Sequence, residues 1–378
     1  MPWQEVATMT LRREFVELAQ QEGANLRALC RRFGISPTTG YKWLRRYQTE
    51  GLGGLGERSR RPHHTPTRTP PAVEQAILAV RDRHPAWGGR KIRAWLREQG
   101  HAPLPSASTI TAILRRHARL DPAAGAQHQP WQRFERPVPN DLWQMDFKGH
   151  FPLLQGRCHP LTILDDHSRF CLGLDACADE RYPTVQARLT QVFTRYGLPG
   201  TILADNGPPW GAGTTPPVHT ALTVWLLRLG VRVIHGRPYH PQTQGKDERF
   251  HRTVQAEVLR DRTFPDLATC QRHFARWREE YNGDRPHEAV GDRPPITRYQ
   301  PSPRPFPREL PPIEYAPGAV VRIVQAKGTI ALHGRPYRVG RAFRGYPVAV
   351  RPTTTPQHHA VYFCHEKIAA LDLSETDA

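Results

Sequence analysis

Three acidic residues stand in three separate short contexts. Asp146 lies in Trp143-Gln144-Met145-Asp146-Phe147, Asp205 in Ile202-Leu203-Ala204-Asp205-Asn206-Gly207, and Glu248 in Gln244-Gly245-Lys246-Asp247-Glu248-Arg249-Phe250. The first two end or interrupt apolar, strand-like runs, and the third opens a helix. Carboxylates delivered from two strands and one helix can converge on a point and hold two hard divalent cations such as Mg²⁺ through oxygen. Such a pair serves phosphodiester chemistry, one ion activating the attacking water or 3′-hydroxyl and the other stabilising the departing oxygen. Asp146, within its strand, is expected to bridge both ions. Asp205 ends a strand where Asn206-Gly207 lets the backbone bend away, and Glu248 is expected to hold the second ion. Each context alone has a plainer meaning: Asp-Asn-Gly is a turn tripeptide, and a Glu in a first helical turn serves the helix dipole. Their order and contexts together carry the reading.

Composition supplies the substrate. Lys and Arg total 53 against 35 Asp and Glu, a formal net charge of +18, beyond what solubility alone needs. That surplus implies a polyanionic partner, and with no isolated basic amphipathic helix to suggest a membrane, the partner expected is double-stranded DNA. No apolar run approaches the ~18 residues of a membrane span, and the N-terminus has no signal-peptide pattern, so a cytoplasmic protein is expected. The six cysteines (Cys30, Cys158, Cys171, Cys177, Cys270, Cys364) include no C-x-x-C pair, which speaks for reduced, buried thiols and no structural zinc.

The elements that must position these groups are read as follows. Residues 1–50 hold three helices. Leu11, Phe15 and Leu18 keep a helical period in the first, Asn25 caps the second, and Ser36-Pro37 starts the third. The third exposes Thr38, Thr39, Lys42, Arg45 and Arg46, so the last two helices form a helix-turn-helix whose basic member suits DNA. Residues 51–71 are a Gly-, Pro- and Arg-rich linker, expected to lie along phosphates. Residues 72–120 repeat the plan, with a third helix entered at Ser106-Ala107-Ser108 that carries Arg115 and Arg116. Residues 121–140 read as a second linker. From residue 141 to 284, short apolar runs at 142–147, 161–164 and 170–174 are followed by alternating helix and strand, a ribonuclease-H-like α/β layer. Residues 285–312 read as a Pro-rich connector and 313–378 as a small β-barrel. The fold class is therefore multidomain α+β.

In the helix after Gly245, Phe250, Val254 and Val258 form the stripe expected on the core. Glu248, Arg252 and Gln255 lie about 200° round from it. Lys246, Arg249 and Arg252 are expected at phosphates, and 240–245 as a mobile loop closing over DNA. Asp165 and Asp166 are rival carboxylates, read as the turn between the second and third strands. Asp247, the neighbour of Glu248, is read as a helix cap.

These segments, with Asp165-Asp166-His167-Ser168-Arg169 and the long run from Arg237 to Thr253, closely resemble the catalytic core of bacterial insertion-sequence transposases. Those are DDE enzymes related to retroviral integrases. The likeness extends to the N-terminal helix-turn-helix pair, to Trp277-Arg278 through Tyr281-Asn282 with Arg285-Pro286-His287, and to the β-rich tail. It implies Asp146, Asp205 and Glu248 as the metal-binding catalytic triad, with Mg²⁺ or Mn²⁺ as two-ion cofactor. It further implies cutting and strand transfer at the ends of a mobile element, in a bacterial cytoplasm. Asp205 and Glu248 lie 43 positions apart, longer than usual for that family, and the loop at 211–217 can take up the excess. The zinc module of retroviral integrases is missing, since His63-His64 has no cysteine pair.

The leading expectation is a transposase that binds terminal inverted repeats and target DNA and works at least as a dimer. A catalytically silent DNA-binding regulator derived from such a protein is the alternative; it lacks a reason to keep three converging carboxylates. A ribonuclease-H-like nuclease without strand transfer is disfavoured by the tandem helix-turn-helix units.

Overall fold

A computed structural model describes residues 8–58, 68–120, 135–211, 219–235 and 245–374. His63-His64, the loop at 212–217, most of 240–245, residues 59–67 of the first expected linker and 121–134 of the second lie outside the described residues. The start of the first linker, Gly51–Leu55, is instead a 3₁₀ turn whose Leu55 is buried. The chain divides into two compact units, Met1–Arg68 and Thr69–Ala378.

The first unit contains α1 (Thr8–Ala19), α2 (Leu26–Arg32) and α3 (Pro37–Glu50), then a 3₁₀ turn at Gly51–Leu55. The expected caps are present: Ala28 N–H donates to Asn25 Oδ1 (3.1 Å) and Thr39 N–H to Ser36 Oγ (3.2 Å). The core is Phe15, Val16, Cys30, Trp43 and Leu55. Leu11, expected on the buried stripe, is exposed, and Val16 takes the inward place. Gly40 of α3 lies so close to Cys30 and Phe15 that a Cβ there would clash.

The second unit opens with α4 (Pro71–Arg83), α5 (Gly89–Glu98) and α6 (Ala107–Arg116). These pack Ile77, Val80, Ile92, Leu96, Ile110, Ile113 and Leu114 around Trp87. Ser106 caps α6 on Thr109 N–H, as Ser36 caps α3.

The mixed sheet that follows contains β1 (Leu142–Phe147), β2 (Phe151–Pro152), β3 (Arg157–Asp165), β4 (Cys171–Cys177), β5 (Thr201–Ala204) and β6 (Arg232–His235). Its order is β4-β3-β1-β5-β6, with β2 a short addition to β3. β3 runs antiparallel to β1 and β4, whereas β1, β5 and β6 are parallel. On one face Trp143, Met145, Ile202 and Ala204 meet α7 (Tyr182–Tyr196) and α8 (Ala221–Arg228). The other face packs Leu164 and Leu174 under α9 (Gly245–Val254), its π-helical continuation Gln255–Leu259, and α10 (Leu267–Gly283). Both faces are covered, so β4 is buried along its whole length.

Two expected connectors belong to this core. Glu135 pairs with Arg169 and Arg298, and Asn140 N–H donates to Asp165, so 135–140 is tied to the sheet. The Pro-rich stretch after residue 285 is likewise packed. Tyr299 stacks on Phe170 at 4.1 Å between centroids, and the Arg304 guanidinium donates to the carbonyls of Pro199, Leu229 and Gly230.

The tail forms β7 (Val320–Ile323), β8 (Thr329–Leu332), β9 (Arg335–Arg338), β10 (Pro347–Pro352), β11 (His358–Phe363) and β12 (Glu366–Asp372). These strands pair as a four-stranded sheet, β12-β11-β10-β7, and a separate β8-β9 ribbon. The expected barrel is therefore not closed among the described residues. The apolar side of this sheet rests on Val224 and Leu227 of α8.

Candidate active site

Asp146 and Asp205 come together through strand register. Leu142, Trp143 and Gln144 of β1 pair in parallel with Thr201, Ile202 and Leu203 of β5. Two residues further on, the same register sets Asp146 beside Asp205, at the carboxyl ends of adjacent parallel strands. In open α/β sheets that edge is where ligands bind. Alternation turns Met145 and Ala204 into the core, leaving Asp146 and Asp205 on the opposite face.

The electrostatics follow from that placement. Burial and then the Asp205 charge push the Asp146 carboxyl up to about 7. Burial also raises Asp205, while Gly207 N–H, 3.2 Å from its Oδ1, works against the rise. Glu180 adds negative charge to both. Among the described residues no Lys or Arg pairs with either carboxylate; the nearest partner of Asp146 is His251 Nδ1 at 4.0 Å. Two adjacent, partly buried carboxylates without a counter-cation are a donor set that fits a hard divalent metal.

Glu248 stands apart from the pair. It is exposed in the first turn of α9, and no group of three acidic or histidine side chains is assembled as a metal cage among the described residues. Its helix face nevertheless runs along β1. His251, three residues on, donates from Nε2 to Thr162 Oγ1 (2.9 Å), and Thr162 in turn donates to the Asp146 carbonyl. Gln255, one turn further, accepts from Lys148 Nζ at 2.7 Å. Glu248 is thus one turn before the residue nearest Asp146, on the same side of the helix. The expected stripe of Phe250, Val254 and Val258 is buried.

Asp247 differs from its expected role as a cap. It lies inside the helix and is fully buried, and its Oδ1 makes no hydrogen bond among the described residues. Burial, Asp146 and Asp166 hold its carboxyl well above the usual range. Asp165 accepts from Asn140 N–H, Ser168 N–H and Ser168 Oγ, the hydrogen bonding of a structural turn. Lys246, expected at phosphate, donates to buried Asp166.

The expected DNA contacts separate by what each side chain already touches. Thr38, Lys42 and Arg45 are exposed on α3, although the Lys42 ammonium also lies over Trp43, as does Arg46, and Thr39 belongs to the Ser36 cap. On α6 Arg115 is exposed, but Arg116 pairs with Glu74 at 2.6 Å. Arg252 is exposed on α9, and Arg249 meets Glu288 at 3.1 Å. Glu180 and His251 went unnoticed in the sequence. Helical spacing from Glu248 could have found His251, but nothing local marks Glu180.

Four family descriptions match the chain in sequence. Residues 11–63 match a helix-turn-helix domain and 39–114 a homeodomain-like domain. Residues 136–241 and 229–295 match the integrase core domain, and 319–378 the C-terminal domain of the IS481 family transposases. The insertion element IS476 uncharacterized 39.2 kDa protein of Xanthomonas euvesicatoria is 26% identical over 65% of this chain and 69% of its own length. By these matches the chain is similar to insertion-sequence transposases, and its central region matches the integrase core domain.

Other relatives cover less. The IS407 uncharacterized 31.7 kDa protein of Burkholderia multivorans is 27% identical over 40% of the chain and 53% of that protein. The Gag-Pol polyprotein of baboon endogenous virus is 26% identical over 50% of the chain and 11% of the polyprotein. Among solved structures, a simian T-cell lymphotropic virus intasome in complex with the PP2A regulatory subunit B56 gamma aligns at 17% identity. That alignment covers 78% of this chain and 99% of the other, with a TM-score of 0.38. No helix among the described residues is long and apolar enough to cross a membrane.

Proposed function

We propose that this chain cuts and joins DNA at the ends of its mobile element, with Asp146, Asp205 and Glu248 as the catalytic carboxylates. The observation that supports it best is the register that sets Asp146 beside Asp205 on one sheet face, with no Lys or Arg paired to either among the described residues. Asp146 and Asp205 would hold a divalent ion, Mg²⁺ or Mn²⁺, and Glu248 would complete the oxygen set for two ions. Bound there, the ions supply Lewis-acid activation of the attacking hydroxyl and charge stabilisation at the leaving oxygen. The protein's own part is to aim the carboxylates, with Thr162 and His251 steadying the Asp146 backbone from one side.

DNA is engaged through α3 and α6, with Thr38, Lys42, Arg45 and Arg115 available for it, and through Arg249 and Arg252 beside the active site. The DNA-binding regions correspond to 1–50 and 72–120, and the catalytic region to 135–312. Two element ends must be held at once, so the working assembly contains at least two copies.

The test is strand cleavage and strand transfer on a labelled duplex carrying the element end, with and without Mg²⁺ or Mn²⁺. Products that require metal and vanish in Asp146→Asn, Asp205→Asn and Glu248→Gln, with DNA binding retained, establish the activity. Binding without cleavage by the wild type in either metal overturns it in favour of a DNA-binding regulator.

A further inference from the structure

Asp166 lies 20 residues beyond Asp146 and follows the end of β3, with no exposed surface. Three donors from separate parts of the core converge on it. Arg136 N–H reaches Oδ2 at 2.7 Å and Gln144 Nε2 reaches Oδ1 at 2.6 Å, while Lys246 Nζ shares that same Oδ1. Gln144 is two residues before Asp146 on the same face of β1, and Lys246 is two residues before Glu248 in the first turn of α9. One buried carboxylate therefore ties the strand bearing Asp146 to the start of the helix bearing Glu248.

The burial of both partners makes this tie consequential. Lys246 is largely covered, with 17% of its side chain exposed. A rotation of α9 about its axis would draw the ammonium off Asp166 and leave the buried carboxylate only the Arg136 and Gln144 N–H groups and the more distant charge of Arg169, which is unfavourable. The hydrophobic stripe of Phe250 and Val254 fixes which side of α9 faces the sheet, but an apolar stripe tolerates sliding more readily than an ion pair does.

We infer that Asp166, through Lys246, is a positioning residue that fixes the rotation of α9, and so keeps the helix side shared by Glu248 and His251 turned toward Asp146. The inference rests on the metal-site reading above. Asp166 touches neither metal nor substrate, and Lys246 serves the fold of the site rather than a phosphate.

The experiment is Mn²⁺ binding to the full chain, read from the free-Mn²⁺ electron paramagnetic resonance signal. It compares wild type, Glu248→Gln, the paired neutral variant Asp166→Asn/Lys246→Gln, and their combination. The paired variant leaves no buried charge without a partner, and Lys246→Met alone gives a second route if it does not fold. The expected result is a roughly tenfold weaker Mn²⁺ affinity in the paired variant, the range typical of groups that orient metal ligands. In that background Glu248→Gln then costs less than about twofold, although it costs about tenfold in the otherwise wild-type chain. A residue that merely supports the fold leaves the cost of Glu248→Gln the same in both backgrounds, and that outcome overturns the inference alone. If Asp146→Asn leaves Mn²⁺ binding unchanged, the metal-site reading falls and this inference with it.

Discussion

Asp247 and Glu248 are neighbours in the first turn of α9 and meet opposite surroundings, one sealed in the core and the other in solvent. Burial and the charges of Asp146 and Asp166 push the Asp247 carboxyl well above its usual range, which favours the neutral form that an amide copies. Asp247→Asn should keep metal-dependent cleavage within about threefold, whereas Glu248→Gln should lose at least about a hundredfold. A gel assay of the labelled element end decides it, and the reverse order would move the third carboxylate to Asp247.

A second residue-scale prediction concerns Lys91 on α5, whose ammonium is brought down to about 8 by burial and by Arg285. The unfolded chain holds that proton up to the ordinary lysine range, so below about pH 8 the folded state carries the full cost of the buried charge. The cost fades as pH rises from the folded value towards the unfolded one. Lys91→Met should therefore stabilise the protein by roughly 1 kcal/mol at pH 7 and by almost nothing near pH 10.5. Paired thermal melts of variant and wild type across that range measure the difference.

At the scale of elements, the π-helical continuation of α9 is fastened to α10 by Glu257, which accepts from Arg285 Nε and Nη2 and from Trp277 Nε1. Both members of the pair are about nine-tenths buried. Arg285→Met leaves the Glu257 charge stranded and should cost about 3–5 kcal/mol, a drop of roughly 10 °C in Tm by calorimetry. The helix starts were legible because capping is local: Asn25, Ser36 and Ser106 each bond a backbone N–H three residues on. The packed role of 285–312 was not. Tyr299, Phe306 and Leu310 dock on the core at irregular spacing among prolines, so neither a helical nor a strand period announces them. The β-tail was legible strand by strand, but not in how its strands close.

For the whole molecule, the +18 charge and the exposed cations of α3 predict DNA binding that weakens steeply with salt. Lys42→Ala should lower the slope of log affinity against log salt by about 1, while Arg116→Ala, already committed to Glu74, should leave the slope unchanged. Fluorescence anisotropy over a salt series separates the two.

The sequence by itself determined the kinds of element, their order, the expectation of a polyanionic partner and the three acidic contexts, because each is written in the residues and their neighbours. Only the tertiary structure decided which acids meet. Asp146 and Asp205 are joined by a parallel register between strands 59 positions apart, and parallel pairing leaves no local signature. It also decided that Asp166 is enclosed with Lys246 and that Asp247 is buried while Glu248 is not, because burial is set by what packs on a helix from outside its own sequence.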